Sequence, residues 1–304
     1  IASELLKLPA YQKGELGKKL RSLLKDLRFK VIADISDREK RAMEYEKEYK
    51  ANPNQREADK LIYNAGVDYL AAGNVAKAMA AYAIVVKKHP KSEGAQDSLL
   101  NLAQLSERRL DLASAAIYYQ RFGKTYPKDK AAIGSAAKAC QIQVALEAKG
   151  AVSACMDFAR LDNEGAKIEF ARMLRSAYSS RDAARLSQLT RRFVASFKLT
   201  PNEQILAYSR IYYLKQGKAE GAQASAKIMN IFQRSGAKGL NAEALRSVGS
   251  IVFARVNGEM AKFKRLKLTG GTVEALQGSI QAKLGALTNL RGAYNQVVQT
   301  KDSY

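Results

Sequence analysis

Three residue types recur in phase along this chain: Ala78, Tyr82 and Pro90 return as Ala115, Tyr119 and Pro127, each displaced by 37 residues. A fixed displacement of this size constrains the fold more than any composition figure, because one supersecondary unit is written twice. Ahead of Ala78, Gly66 and Tyr69 fall on one helical stretch that Gly73-Asn74 breaks. Each unit therefore reads helix, tight turn, helix, proline stop. Ile62, Gly66, Tyr69 and Leu70 share a helical face, with Gly66 admitting a close neighbour. Ala78 has the same use on the second helix, where Tyr82, Val85 and Val86 supply the bulk. Neither helix can bury its stripe alone, so each pair must stack on the next.

This pattern resembles the tetratricopeptide repeat, a helix pair with a small residue, an aromatic four positions on and a closing proline. Ile62 stands where that family has Trp and Ala65 where it has Leu; the second unit departs further with Leu99, Leu102, Ala103 and Ser106. The resemblance covers residues 59–127. It implies an all-α, right-handed α-solenoid of tetratricopeptide-like pairs with helical extensions at both ends. Its groove is built from first-helix side chains, here Lys60, Tyr63, Val67, Leu100, Gln104 and Arg108. The His89-Pro90 and Tyr126-Pro127 pairs and the long period are similar to the bacterial envelope branch, which includes proteins of gliding and predatory bacteria. That likeness implies a periplasmic scaffold or adaptor in an envelope or motility complex, with a cytoplasmic adaptor as the alternative.

Beyond Pro127 the pattern decays without stopping. Ile133, Gly150, Ala154 and Phe158 mark a third pair, and Ile168 with residues 183–197 a fourth. Thr200, Pro201 and Glu203 form a strong helix start to a fifth, broken at Gln216-Gly217. The expected organisation is an N-terminal helical extension over 1–54, a solenoid over 55–237, and a C-terminal extension or further module over 238–304. In the first of these, Leu16, Leu20, Leu23, Leu24, Leu27 and Val31 alternate with basic residues at helical spacing. This helix reads as a cap on the first repeat or part of a degenerate repeat, with a membrane-surface helix as the alternative. Ser36 and Glu39 are spaced as a capping box for the helix that follows.

Cys140 lies ten residues before Gly150 and Cys155 five after. If the helices turn at Gly150, the thiols are offset by about 7 Å along the axis, which predicts two buried free thiols and no disulfide.

The formal charge of +22 is uneven: residues 1–159 carry 27 basic and 19 acidic side chains, and residues 160–304 carry 24 and 10. The basic half contains Arg172, Arg175, Arg181, Arg185, Arg191 and Arg192, the basis of an alternative function as a solenoid that binds nucleic acid or an anionic membrane surface. A protein or peptide partner is favoured over an anionic surface, and nucleic acid is least favoured, since no base-reading pattern accompanies the arginines. The longest apolar run, residues 78–86, falls well short of the roughly 20 that span a bilayer.

No catalytic, cofactor or metal motif emerges. The single histidine, His89, precedes a proline at a repeat end, and Gly270-Gly271-Thr272 lacks the spacing of a phosphate loop. The expectation is a non-enzymatic scaffold. Near the end, Leu276, Ile280, Leu284, Leu287, Leu290, Tyr294 and Val297 form one apolar stripe on a long helix. Leu284, Leu287 and Tyr294 are the candidate docking residues, toward following sequence or a partner subunit, on the expectation that Tyr304 is not the natural terminus.

Overall fold

A computed structural model of the chain describes Leu8 and residues 14–299, except the side chains of Lys25 and Gln299. Tyr304 lies outside the described residues. Among these residues the secondary structure is helical and no strand occurs. The helices are α1 Gly14–Ala33, α2 Arg38–Ala51, α3 Ala58–Ala71, α4 Val75–Lys88, α5 Gly94–Arg108, α6 Leu112–Thr125 and α7 Ala132–Ala145. They continue with α8 Ala151–Ala159, α9 Asn163–Ser179, α10 Ala183–Ser196, α11 Pro201–Leu214, α12 Ala219–Ser235, α13 Ala242–Arg265 and α14 Val273–Gln299. The chain forms two compact units, residues 1–166 and 167–304.

The period is written into the backbone as well as the side chains. Between the helices of each pair one residue is left-handed: Gly73 (φ 83°), Leu110 (60°), Glu147 (49°), Arg181 (55°) and Gly217 (79°). A left-handed residue is the usual way to end a helix sharply. At three of these turns the next residue caps the second helix through its side chain. Asn74 accepts from the Lys77 amide at 3.3 Å, Asp111 from Ser114 at 3.2 Å and Asp182 from Arg185 at 2.9 Å. The turns of the third, fourth and fifth pairs thus follow the first two, although their side-chain pattern has faded.

In the first unit, Ile62, Ala65 and Tyr69 of α3 are buried with Ala78, Tyr82 and Val85 of α4. Ala103, Ala115 and Tyr119 of the second pair cluster with Ala139 of the third. Polar side chains lock α2 to α3: Arg41 holds Asp68 through two nitrogens, at 2.5 and 2.6 Å, and spends a third on the Ile35 carbonyl. The Tyr69 hydroxyl donates to Glu46 at 2.6 Å. Helix α1 packs on α2 along one edge, with Phe29 and Tyr45 ring centroids 5.4 Å apart. Leu16, Leu23, Leu27 and Val31 remain exposed.

Two expectations are corrected. Helix α2 is capped by Asp37, not Ser36: its carboxylate accepts from the Lys40 amide at 3.0 Å, and the helix starts one residue later than the Ser36 and Glu39 spacing implied. Cys140 and Cys155 are not free thiols but a disulfide, with Cα atoms 4.6 Å apart. The error lay in the turn. Residues 146–150 form the connection, so the helices end at Ala145 and resume at Ala151. Measured from those ends the cysteines are nearly level, five residues before and four after.

In the second unit, Phe170, Phe193 and Phe197 join α9 to α10, with centroid separations of 5.2 to 6.1 Å. Helix α11 starts on the expected capping box, with Glu203 reaching back to the Thr200 amide at 2.7 Å. Ile205 and Ile211 of α11 and Ile228 and Ile231 of α12 are buried between those helices and their neighbours. Val248, Val252 and Val256 of α13 are buried in the same unit as Leu290 and Ala293 of α14.

Candidate functional site

The six groove residues fall on α3 and α5, the first helices of neighbouring pairs, which touch. They divide by role. Lys60, Val67, Gln104 and Arg108 are exposed, and Lys60 pairs with Glu57 at 3.2 Å. Tyr63 and Leu100 are half-buried and hold the helices together. The Tyr63 ring lies over Gly94, where a β-carbon would come within 2.6 Å of it, and its hydroxyl donates to Asp97 at 3.3 Å.

One end of this surface is fixed by a network the sequence did not reveal. Lys138 of α7 donates to Glu107 of α5 at 2.7 Å, and Tyr119 of α6 donates to the same carboxylate at 2.5 Å. The Lys138 ammonium also lies 5.1 Å from the Tyr119 ring centroid. Hydrogen bonds from Lys138 and then Tyr119 hold the Glu107 carboxyl below its ordinary value, and Glu107 in turn raises Lys138. Burial pushes the Tyr82 phenol up to about 12. These shifts come from packing between helices, and none leaves a reactive group poised near neutrality.

Residues 61–92 and 97–129 match the tetratricopeptide repeat family. The two matched segments take in most of α3 with α4 and most of α5 with α6. No curated protein matches the chain. Tetratricopeptide pairs expose an extended surface of first-helix side chains, which is how such repeats mediate protein–protein interaction. In this chain Lys60, Val67, Gln104 and Arg108 are exposed side chains of the first helices α3 and α5.

The six candidate arginines of the basic half, Arg172 to Arg192, spread over α9, the turn after it and α10. Arg172 is paired with Glu169 at 3.1 Å. Arg181 occupies the left-handed turn. Arg175, Arg191 and Arg192 are exposed, and Arg185 is half-buried. Arg210 on α11 lies near Arg175 and was not among the candidates. Its guanidinium donates to the Leu206 carbonyl at 3.1 Å, and burial lowers its pKa, Glu243 opposing the shift and Arg175 adding to it. An arginine at one position of a helix carries no sequence signal that it will be drawn inward, so this residue was invisible before the fold.

On α14, Leu284, Leu287 and Tyr294 are 50%, 48% and 46% exposed, whereas Leu290 of the same stripe is buried. His89 serves structure: its ring meets the Tyr49 hydroxyl at 3.3 Å. Among the described residues no group of three or more His, Cys, Asp or Glu could hold a metal ion, and no helix is long and apolar enough to cross a membrane.

Proposed function

We propose that the protein is a non-enzymatic scaffold that binds a protein partner across the first helices of its tetratricopeptide pairs, in an oxidising compartment such as the bacterial periplasm. The observation that carries the binding role is the division of α3 and α5 into half-buried spacers, Tyr63 and Leu100, and an exposed set, Lys60, Val67, Gln104 and Arg108. Such an array holds an extended surface for a protein partner.

The compartment reading is supported by the Cys140–Cys155 disulfide, which accounts for both cysteines. Disulfides persist in secreted and periplasmic proteins and are rare where glutathione and thioredoxin keep thiols reduced. A place in an envelope or motility complex follows as the finer form of this reading, in line with the His89-Pro90 and Tyr126-Pro127 resemblance.

The test is capture of partners from the source cell by the full chain and by a Lys60→Glu, Val67→Glu, Arg108→Glu variant. These side chains are exposed, so the variant keeps the wild-type melting profile. A specific protein lost by the variant supports the scaffold reading. Equal capture by both, or recovery of nucleic acid alone, overturns it. Alkylation of free thiols in intact cells tests the compartment: unprotected Cys140 and Cys155 in freshly made extracts would exclude it.

A further inference from the structure

A cleft in the second unit lies between α10, α11 and α12 and is lined by Thr190, Arg191, Tyr208, Glu220, Gln223 and Lys227. Its floor includes the buried Ile211 and Ala224. The volume, about 160 Å³, is below the roughly 300–1,000 Å³ of pockets for drug-sized ligands. It suits a single side-chain head group.

Three features set its chemistry. First, Thr190 is one of the lining residues, and its hydroxyl is fully buried with no hydrogen-bond partner. A buried hydroxyl without a partner carries a desolvation cost that a ligand accepting its hydrogen bond would remove. Second, Arg191 and Lys227 line the cleft from α10 and α12 with no ion pair to either among the described residues. The Lys227 ammonium is held 4.9 Å from the Tyr208 ring centroid, which places the cation without neutralising it. Third, the one lining carboxylate, Glu220, is already engaged by Lys215 at 3.4 Å. Because Lys215 already neutralises Glu220, Arg191 and Lys227 remain as two cations for an incoming anion, and the apolar floor favours an acidic side chain on a methylene stem over free inorganic phosphate.

We propose that this cleft binds a carboxylate, offered by an acidic side chain of a protein partner. Arg191 and Lys227 supply charge-assisted hydrogen bonds, Thr190 donates another, and the apolar floor with the Tyr208 ring covers the methylenes of the incoming side chain. The inference rests on the scaffold reading only in taking the carboxylate from a protein. The cleft uses residues of α10, α11 and α12, none of which belongs to the matched segments 61–92 and 97–129.

The probe is a fluorescent hexaglutamate peptide with an amidated C-terminus, followed by anisotropy on the full chain at physiological salt. An Arg191→Gln, Lys227→Gln variant is expected to lose about tenfold or more in affinity. A control of equal charge change on exposed residues of the same unit, Arg192→Gln with Lys198→Gln, keeps wild-type affinity to within about twofold. Thr190→Val weakens binding while leaving the melting profile unchanged or raised, because the hydroxyl has no partner to lose. Acetate competes with the peptide more strongly than inorganic phosphate at equal ionic strength. Absence of peptide binding, equal losses in the cleft and control variants, or stronger competition by phosphate would each overturn the proposal. The scaffold reading stands or falls separately, on capture by the Lys60, Val67 and Arg108 variant.

Discussion

A β-carbon placed on Gly66 would lie 2.7 Å from Cε1 of Tyr82. Tyr82 is fully buried, so a larger residue at position 66 would have to displace a packed ring. One period later the pair is Ala103 and Tyr119, both buried in the same cluster. Gly66→Leu is expected to cost about 1–3 kcal/mol through overpacking, read as a lower urea midpoint. An unchanged midpoint would mean that α3 and α4 are not in this register.

The left-handed turn residues predict the opposite sign. Leu110 has φ 60° and is 80% exposed, so it bears the steric cost of that conformation, about 1–2 kcal/mol, with little packing to offset it. Glycine removes that cost at an entropic penalty of roughly 0.5–1 kcal/mol. Leu110→Gly should raise stability by up to about 1 kcal/mol, measured by urea unfolding. Destabilisation would show that Leu110 makes an interaction its exposure hides.

The Cys140–Cys155 bridge closes a loop with a sequence separation of 15. Reduction should lower stability by about 3 kcal/mol if its effect is mainly on the unfolded chain. Unfolding followed with and without reductant measures this, and thiol titration of the unreduced, denatured protein should find no free cysteine. Two titratable thiols would contradict the bridge.

Acid should loosen the first unit at the Glu107 network. Because the Glu107 carboxyl is held below its ordinary value in the fold, it contributes stability that is present above the unfolded glutamate pKa. That contribution is lost as pH falls through the lower folded value. The side chain is 35% exposed, so solvent screening keeps the effect small. The urea midpoint of the wild type should fall from about pH 6 to about pH 3, and Glu107→Gln should flatten part of that fall. A variant with an identical acid limb would remove Glu107 as a contributor.

The repeat, the helix pairs and their approximate turns were legible before the fold because they depend on residues close in sequence. Ala78 and Ala115, Tyr82 and Tyr119, and the Thr200 capping box each act within a helix or its adjoining turn. The placing of Lys60, Val67, Gln104 and Arg108 on α3 and α5 followed from the same phase. What only the tertiary structure decided depends on where helices lie across a turn or against a neighbour. A connection spread over residues 146–150 brought Cys140 level with Cys155. Glu107 met Lys138 across 31 positions of sequence, and Thr190 and Arg191 of α10 came to line one cleft with Lys227 of α12. Periodicity identifies the inner face of a helix, but the offset between two helices, and the groups their packing leaves unpaired, are set by side-chain shapes on both at once.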